Sequence, residues 1–180
     1  CLPLPLIEEH SPYRPVALSR RTGGIGWHGN AMLAKASLTV LDAAAVPLPT
    51  LEPRGAIRAD FLVGDQRLRV VGMHLDISGI RRRQQVRAIL DHVAGCGDAM
   101  PTVLMGDFNE WSASGGALRE FPPDYRVLAP GRSFHTRRPV AQLDRIVVSA
   151  DIPVATCGVH RSALAAKGSD HLPVWARIAL

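Results

Sequence analysis

Cysteine is scarce in this chain of 180 residues: Cys1, Cys96 and Cys157 stand far apart, with no C-x-x-C pair among them. That excludes a zinc ribbon and a disulfide framework, and the odd count points to a reducing, cytoplasmic setting. No apolar run approaches the ~20 residues that a membrane-spanning helix requires. Internal repeats, low-complexity tracts and long linkers are missing, so the expectation is a single domain over residues 1–180, with 1–23 an irregular lead-in. Aromatic residues make up only 5%. Lysine is nearly absent too: Lys35 and Lys167 are the two examples, and the other 19 basic side chains are arginine. An initiating methionine is missing as well. Cys1 could be the acylated residue of a lipoprotein, which keeps a secreted or lipid-anchored form open, but the Leu-Pro-Leu-Pro-Leu after it is too apolar for a polar tether. A shortened chain is the preferred reading.

What is present is a globular composition, 47% hydrophobic and 21% charged, with a net charge of +5. The positive balance favours an anionic partner such as phosphate or nucleic acid. Arg14 to Ser19 reads as a short strand. Beyond a Gly23-Gly24-Ile25-Gly26 loop, Asn30 to Lys35 and Ser37 to Leu41 read as extended. The proline-rich 47–53 reads as a loop, since proline lacks a backbone donor. Ala56 to Val63 and Arg67 to Leu75 form a hairpin about Gly64-Asp65-Gln66; Ile57, Ala59, Phe61 and Val63 alternate with Arg58 and Asp60.

From Gly79 to Ala94 the period changes: Val86, Ile89, Leu90 and Val93 make a helical apolar stripe. Arg81-Arg82-Arg83 reads as a solvated face, with a phosphate-tracking patch as the alternative. Thr102 to Met105 reads as a strand buried on both faces and Ser114 to Glu120 as a helical turn. Leu143 to Ser149, Ile152 to His160 and Val174 to Leu180 are further strands. Asp42 and Asp151 read as turn residues and Trp175 as core. Strands outnumber helices, which favours stacked sheets covered by helices over one doubly wound sheet.

Polar residues gather at strand ends, where catalytic groups are commonly carried. His74 closes one strand and Asp107 and Asn109 close another; Asp144 opens a third, and Asp170-His171 precede the last. In Asp107-Phe108-Asn109 the two polar side chains share a face. Two imidazoles, three carboxylates and an amide can hold a hard cation, orient water and contact a phosphate. No serine nucleophile signature accompanies them. His28, His92, His135 and His160 have no motif around them.

Gly106-Asp-Phe-Asn109, Ser169-Asp-His-Leu-Pro173, Leu143-Asp-Arg-Ile146 and Met73-His-Leu75 together resemble the endonuclease/exonuclease/phosphatase superfamily, whose members include the DNase I-like nucleases. Gly29-Asn-Ala-Met-Leu33 is similar to a further family strand. The resemblance implies a DNase I-like four-layer α/β sandwich, two packed and mainly antiparallel sheets flanked by helices. It also implies divalent-metal-dependent hydrolysis of a phosphodiester or phosphomonoester, in nucleic acid or a small molecule. By that resemblance Asp170 is a ligand of Mg²⁺ or Mn²⁺, His171 contacts the scissile phosphate, and Asp144 fixes the His171 tautomer. Asp107 orients or deprotonates water beside Asn109, and His74 is the second phosphate-contacting imidazole. Arg137, Arg138 and Trp111 are substrate-contact candidates. The family's first strands, one bearing Asn and one ending in Gln-Glu, have no counterpart here. An N-terminally truncated domain is therefore expected, with His74 deprived of a carboxylate partner and the chain as given binding an ion poorly and hydrolysing little or nothing. A phosphate- or nucleic-acid-binding scaffold is the alternative. DNA-inserting loops and lysine-rich site segments are not found, so substrate choice stays open.

Overall fold

Residues 56–75 fold as their alternation predicts, and the rest of the structure is arranged about that hairpin. The structure is a computed structural model describing residues 4–18, 25–50 and 53–180. Cys1, Ser19 at the end of the first expected strand, and Gly23 and Gly24 of the glycine loop lie outside the described residues. In chain order the elements are α1 (Leu4–His10), β1 (Tyr13–Pro15), β2 (Gly26–Trp27), β3 (Asn30–Ala31), β4 (Leu33–Lys35), β5 (Thr39–Val46), β6 (Gly55–Val63) and β7 (Gln66–His74). After these come α2 (Gly79–Ala94), β8 (Thr102–Asp107), a 3-10 turn (Gly116–Glu120), β9 (Tyr125–Leu128), β10 (Asp144–Ser149), β11 (Val154–Val159), α3 (Ala165–Gly168) and β12 (Val174–Ile178).

A six-stranded sheet, in the order β5-β6-β7-β8-β10-β9, is the centre of the fold. Only β7 and β8 run parallel within it. A parallel pair needs a crossover, and α2 supplies it. The predicted stripe of α2 faces the sheet: Val86 and Ile89 are buried against Ala56, Val71, Met73, Leu104 and Val147, with Leu90 and Val93 packed alongside. Two antiparallel strand pairs cover the opposite face. Val16, Leu18, Met32 and Ala34, on or beside β1 and β4, pack on Ile57, Ala59 and Phe61. β11 and β12 bring Val154, Val174, Ala176 and Ile178 onto Val103, Ile146 and Val148.

Several expectations need correction. The lead-in contains α1, because proline is tolerated in the first turn of a helix, where Pro5 sits. Asp42 belongs to β5 and pairs with Arg58. On the other side of β6 from Ile57 and Ala59, Arg58 and Asp60 are buried as well. Arg69 grips Asp60 with two bonds of 2.9 and 3.0 Å, and Arg58 lies 2.6 Å from the same carboxylate. Arg82 is likewise buried, its guanidinium 3.2 Å from Glu110, while Arg83 and Arg87 both reach Glu120 at 2.6 Å. A buried charge persists only when paired; Glu110 and Glu120, the partners of the α2 arginines, come from another segment. Met105 and Trp175, expected to be interior, are 38% and 43% exposed.

Candidate active site

Three strands of the central sheet end at one rim. His74 at the end of β7 is level with Asp107 at the end of β8, and Asp144 at the start of β10 is level with Asp107 from the other side. This rim closes tightly because residue 106 is glycine: its φ is 148°, and a Cβ there would lie 1.8 Å from the Met73 carbonyl oxygen. Past the rim the Leu75 amide donates to the Asp107 carbonyl, and Phe108 turns into the core. Asn109 takes a left-handed φ of 49°, a conformation asparagine tolerates. Its amide donates to Asp107 Oδ1 at 2.8 Å and its Nδ2 to the Leu75 carbonyl, also at 2.8 Å.

The remaining wall is the segment leading into β12. Thr136 binds it through the Asp170 and Ser169 carbonyls, and the Leu172 amide donates to the Ser133 carbonyl. His171 is thereby held with Nδ1 2.8 Å from Asp144 Oδ2 and its ring 4.8 Å from that of Phe134. Ser133 Oγ donates to the same Asp144 oxygen. On its other side, His171 Nε2 is 3.9 Å from Asp107 Oδ2, and His74 Nε2 is 3.4 Å from that oxygen. Arg54 Nη1 reaches His74 Nε2 at 2.6 Å.

These contacts set the two imidazoles apart. The Asp144 hydrogen bond holds the His171 proton more tightly than usual, raising its pKa. Burial, reinforced by Arg54 and His171, lowers the pKa of His74 against the opposing pull of Asp107. The cleft thus offers one imidazole biased toward the charged form and one biased toward the neutral form.

His74, Asp107, Asn109, Trp111, Asp144, Asp170 and His171 all line this cleft of about 490 Å³. Arg137 and Arg138 are exposed and outside its lining, although Phe134 of the same loop is inside. Trp111, 67% exposed, stands edge-on to Phe134 with ring centroids 6.5 Å apart. His74 has Asp107 as a neighbouring carboxylate, in place of the partner expected to be lost. Among the described residues His28, His92, His135 and His160 are outside the lining. Arg54, Ser133 and Phe134 went unnoticed in the sequence. Arg54 was within reach, because the hairpin register sets Gly55 opposite His74 and so places the preceding residue at the rim. Ser133 and Phe134 enter only through the return of their loop.

Asp107, Asp144 and His171 bring one potential ligand atom each to within 4.8 Å of one another. Two donors already occupy Asp144 Oδ2, so this trio is first a hydrogen-bond chain. Asp170, outside the trio, is also among the residues that line the cleft. Oxygen donors of this kind suit a hard cation such as Mg²⁺, which takes one or two carboxylates and completes its shell with water and phosphate oxygens. The donor set fits such an ion.

Residues 3–171 match the endonuclease/exonuclease/phosphatase family. Among solved structures, the mannosyl-6-phosphatase of Bacteroides thetaiotaomicron is similar with a TM-score of 0.78 and 19% identity, over 98% of this chain and 81% of that one. The endonuclease/exonuclease/phosphatase of Bacteroides vulgatus gives 0.77 and 20%, over 94% and 77%. Humanized TDP2 of D. rerio gives 0.69 and 15%, over 82% and 70%. No curated protein matches the chain in sequence. At these identities the structural likeness speaks for the fold, which is the DNase I-like α/β fold.

Proposed function

The chain belongs to the endonuclease/exonuclease/phosphatase family, and from that membership we propose that it is a divalent-metal-dependent hydrolase of phosphoester bonds. The observation that carries this reading is the hydrogen-bonded series Ser133–Asp144–His171, facing Asp107 and His74 across one cleft. Asp144 keeps the proton on His171 Nδ1, which turns Nε2 toward the cleft; in the charged ring that this hydrogen bond favours, Nε2–H donates to a phosphate oxygen. Asp107 Oδ2, between the two imidazoles, accepts a hydrogen bond from the attacking water and aligns it, with Asn109 steadying the carboxylate from its other oxygen. As the water oxygen bonds to phosphorus, its proton passes to Asp107 Oδ2 and the bond to the leaving oxygen breaks, that oxygen departing with the electron pair, while negative charge builds on the phosphate. The His171 imidazolium, His74 and Arg54 stand where that charge develops. Mg²⁺ or Mn²⁺ held by Asp170 would supply further charge neutralisation when bound.

Trp111 is proposed to contact the organic part of the substrate, a nucleic acid or a small phosphoester. Arg137 and Arg138 remain candidates for more distant phosphates. No described helix is long and apolar enough to cross a membrane, and Cys96 and Cys157 are free thiols; a cytoplasmic setting is the reading we carry.

A second reading has one observation in its favour. Asp107 and Asp144 both lie against imidazoles, which leaves Asp170 to hold an ion with little help. A phosphate-binding scaffold without turnover would look the same. The discriminating experiment is hydrolysis of p-nitrophenyl phosphate and bis(p-nitrophenyl) phosphate at saturating Mn²⁺, with and without chelator. Turnover that chelator abolishes supports the hydrolase; phosphate binding without turnover on either ester supports the scaffold.

A further inference from the structure

The steps outlined above give the Ser133 hydroxyl no task of its own, yet it is among the most confined polar groups of the molecule. Its residue is fully buried. Its amide donates to the Ala141 carbonyl at 3.0 Å, and its carbonyl accepts from the Leu172 amide at 2.9 Å. The backbone on both sides of the hydroxyl is therefore tied, one side to the loop entering β10 and the other to the residue following His171. From that fixed point Oγ donates to Asp144 Oδ2, the oxygen that also accepts from His171 Nδ1.

An aspartate carboxylate turns broadly about its last torsion. A single imidazole partner would leave Asp144 free to follow His171 instead of directing it. With a second donor anchored in the core, the carboxylate plane is set before the imidazole docks on it. We propose that Ser133 is a positioning residue that fixes Asp144 and, through it, the tautomer and direction of His171. The inference rests on the hydrolase reading for its kinetic consequence only; the geometry it asserts can be tested without turnover.

The test compares wild type with Ser133→Ala and Ser133→Thr, after circular dichroism has shown each variant folded. The long-range ¹⁵N–¹H correlation spectrum of the His171 ring reports which nitrogen carries the proton. At a pH alkaline enough for the ring to be neutral in every variant, wild type should show His171 protonated at Nδ1, Ser133→Ala should move toward a tautomer mixture, and Ser133→Thr, which keeps the hydroxyl, should return toward the wild-type pattern. In the hydrolase assay Ser133→Ala should lower kcat by about 10–100-fold, the usual cost of losing a hydrogen-bond partner behind a functional histidine, with KM within about twofold, the pattern of an interaction made in the transition state. An unchanged His171 spectrum in folded Ser133→Ala overturns the inference, whatever the activity. A shifted His171 spectrum in a protein that hydrolyses no phosphoester upholds it, and counts against the hydrolase reading instead.

Discussion

At the scale of single residues, the charges sort into those that build the sheet and those that face the cleft. Asp60 belongs to the first kind: it is buried, and it balances Arg58 and Arg69. Removing one partner of such a group strands the others without solvent, so Asp60→Ala should destabilise the protein by about 3–5 kcal/mol, read from urea unfolding. The hydrogen bonds from Arg69 and Arg58 outweigh burial and hold the Asp60 carboxyl below the usual range, and the Arg58 hydrogen bond does the same for Asp42. Carboxyls depressed in the folded state stabilise above their unfolded pKa, near ~4, and lose that contribution as pH falls through the folded values. The urea midpoint should therefore drop below about pH 4, and the acid loss should be shallower in Asp60→Ala. His171 runs the other way. Its raised pKa contributes fully below its unfolded value near ~6.5, and that contribution fades as pH rises through the folded value. Of the cleft charges, Arg54 is the one the motifs did not announce. If it meets phosphate, Arg54→Ala should cost kcat/KM about 10–100-fold, the equivalent of a hydrogen bond to a charged group. Unchanged kcat/KM for p-nitrophenyl phosphate would remove Arg54 from the site.

At the scale of elements, legibility follows whether a segment's own pattern decides its fate. The β6–β7 hairpin and α2 have clean periods of two and 3.6, and their bounds agree with the sequence reading to about a residue. β10 is similarly close, while the 3-10 turn, β11 and β12 each fall two residues short of the reading at one end. α1 was obscured by Pro5, which its first turn accommodates, and β9 by its four-residue length after Pro122-Pro123. Burial was harder to read, because it depends on what arrives from elsewhere: Glu110 makes Arg82 an interior residue, and no local pattern around 81–83 contains that partner. Asp107, Asn109, Asp144 and His171 were legible as strand ends. Ser133 was not, since a loop return carries no period. The element most exposed to a small change is the β7–β8 junction. Gly106→Ala would put a methyl group into the Met73 carbonyl at a left-handed φ, so it should cost at least about 3 kcal/mol and separate His74 from Asp107. Thermal unfolding and the hydrolase assay should both register it; a fully active, equally stable Gly106→Ala would mean the rim is not closed as described.

At the scale of the whole molecule, the six-stranded sheet carries α2 on one face and two separate strand pairs on the other, and its rim concentrates the polar chemistry. Arg58, Arg69 and Arg82 lie within the structure against carboxylates, and Arg54 lines the rim together with the two imidazoles. A rigid sheet presenting a cation, two imidazoles of opposite bias and an aligned carboxylate suits a reaction in which charge grows on phosphorus-bound oxygens. The most direct test is Mn²⁺-dependent hydrolysis of bis(p-nitrophenyl) phosphate by wild type, Asp107→Asn and His171→Ala, side by side at saturating Mn²⁺, with circular dichroism confirming that all three are folded. Loss of an aligned carboxylate or a charge-stabilising imidazole should each reduce turnover by roughly 10²–10³-fold. Turnover near the wild-type rate in either folded variant would contradict a catalytic site at this rim.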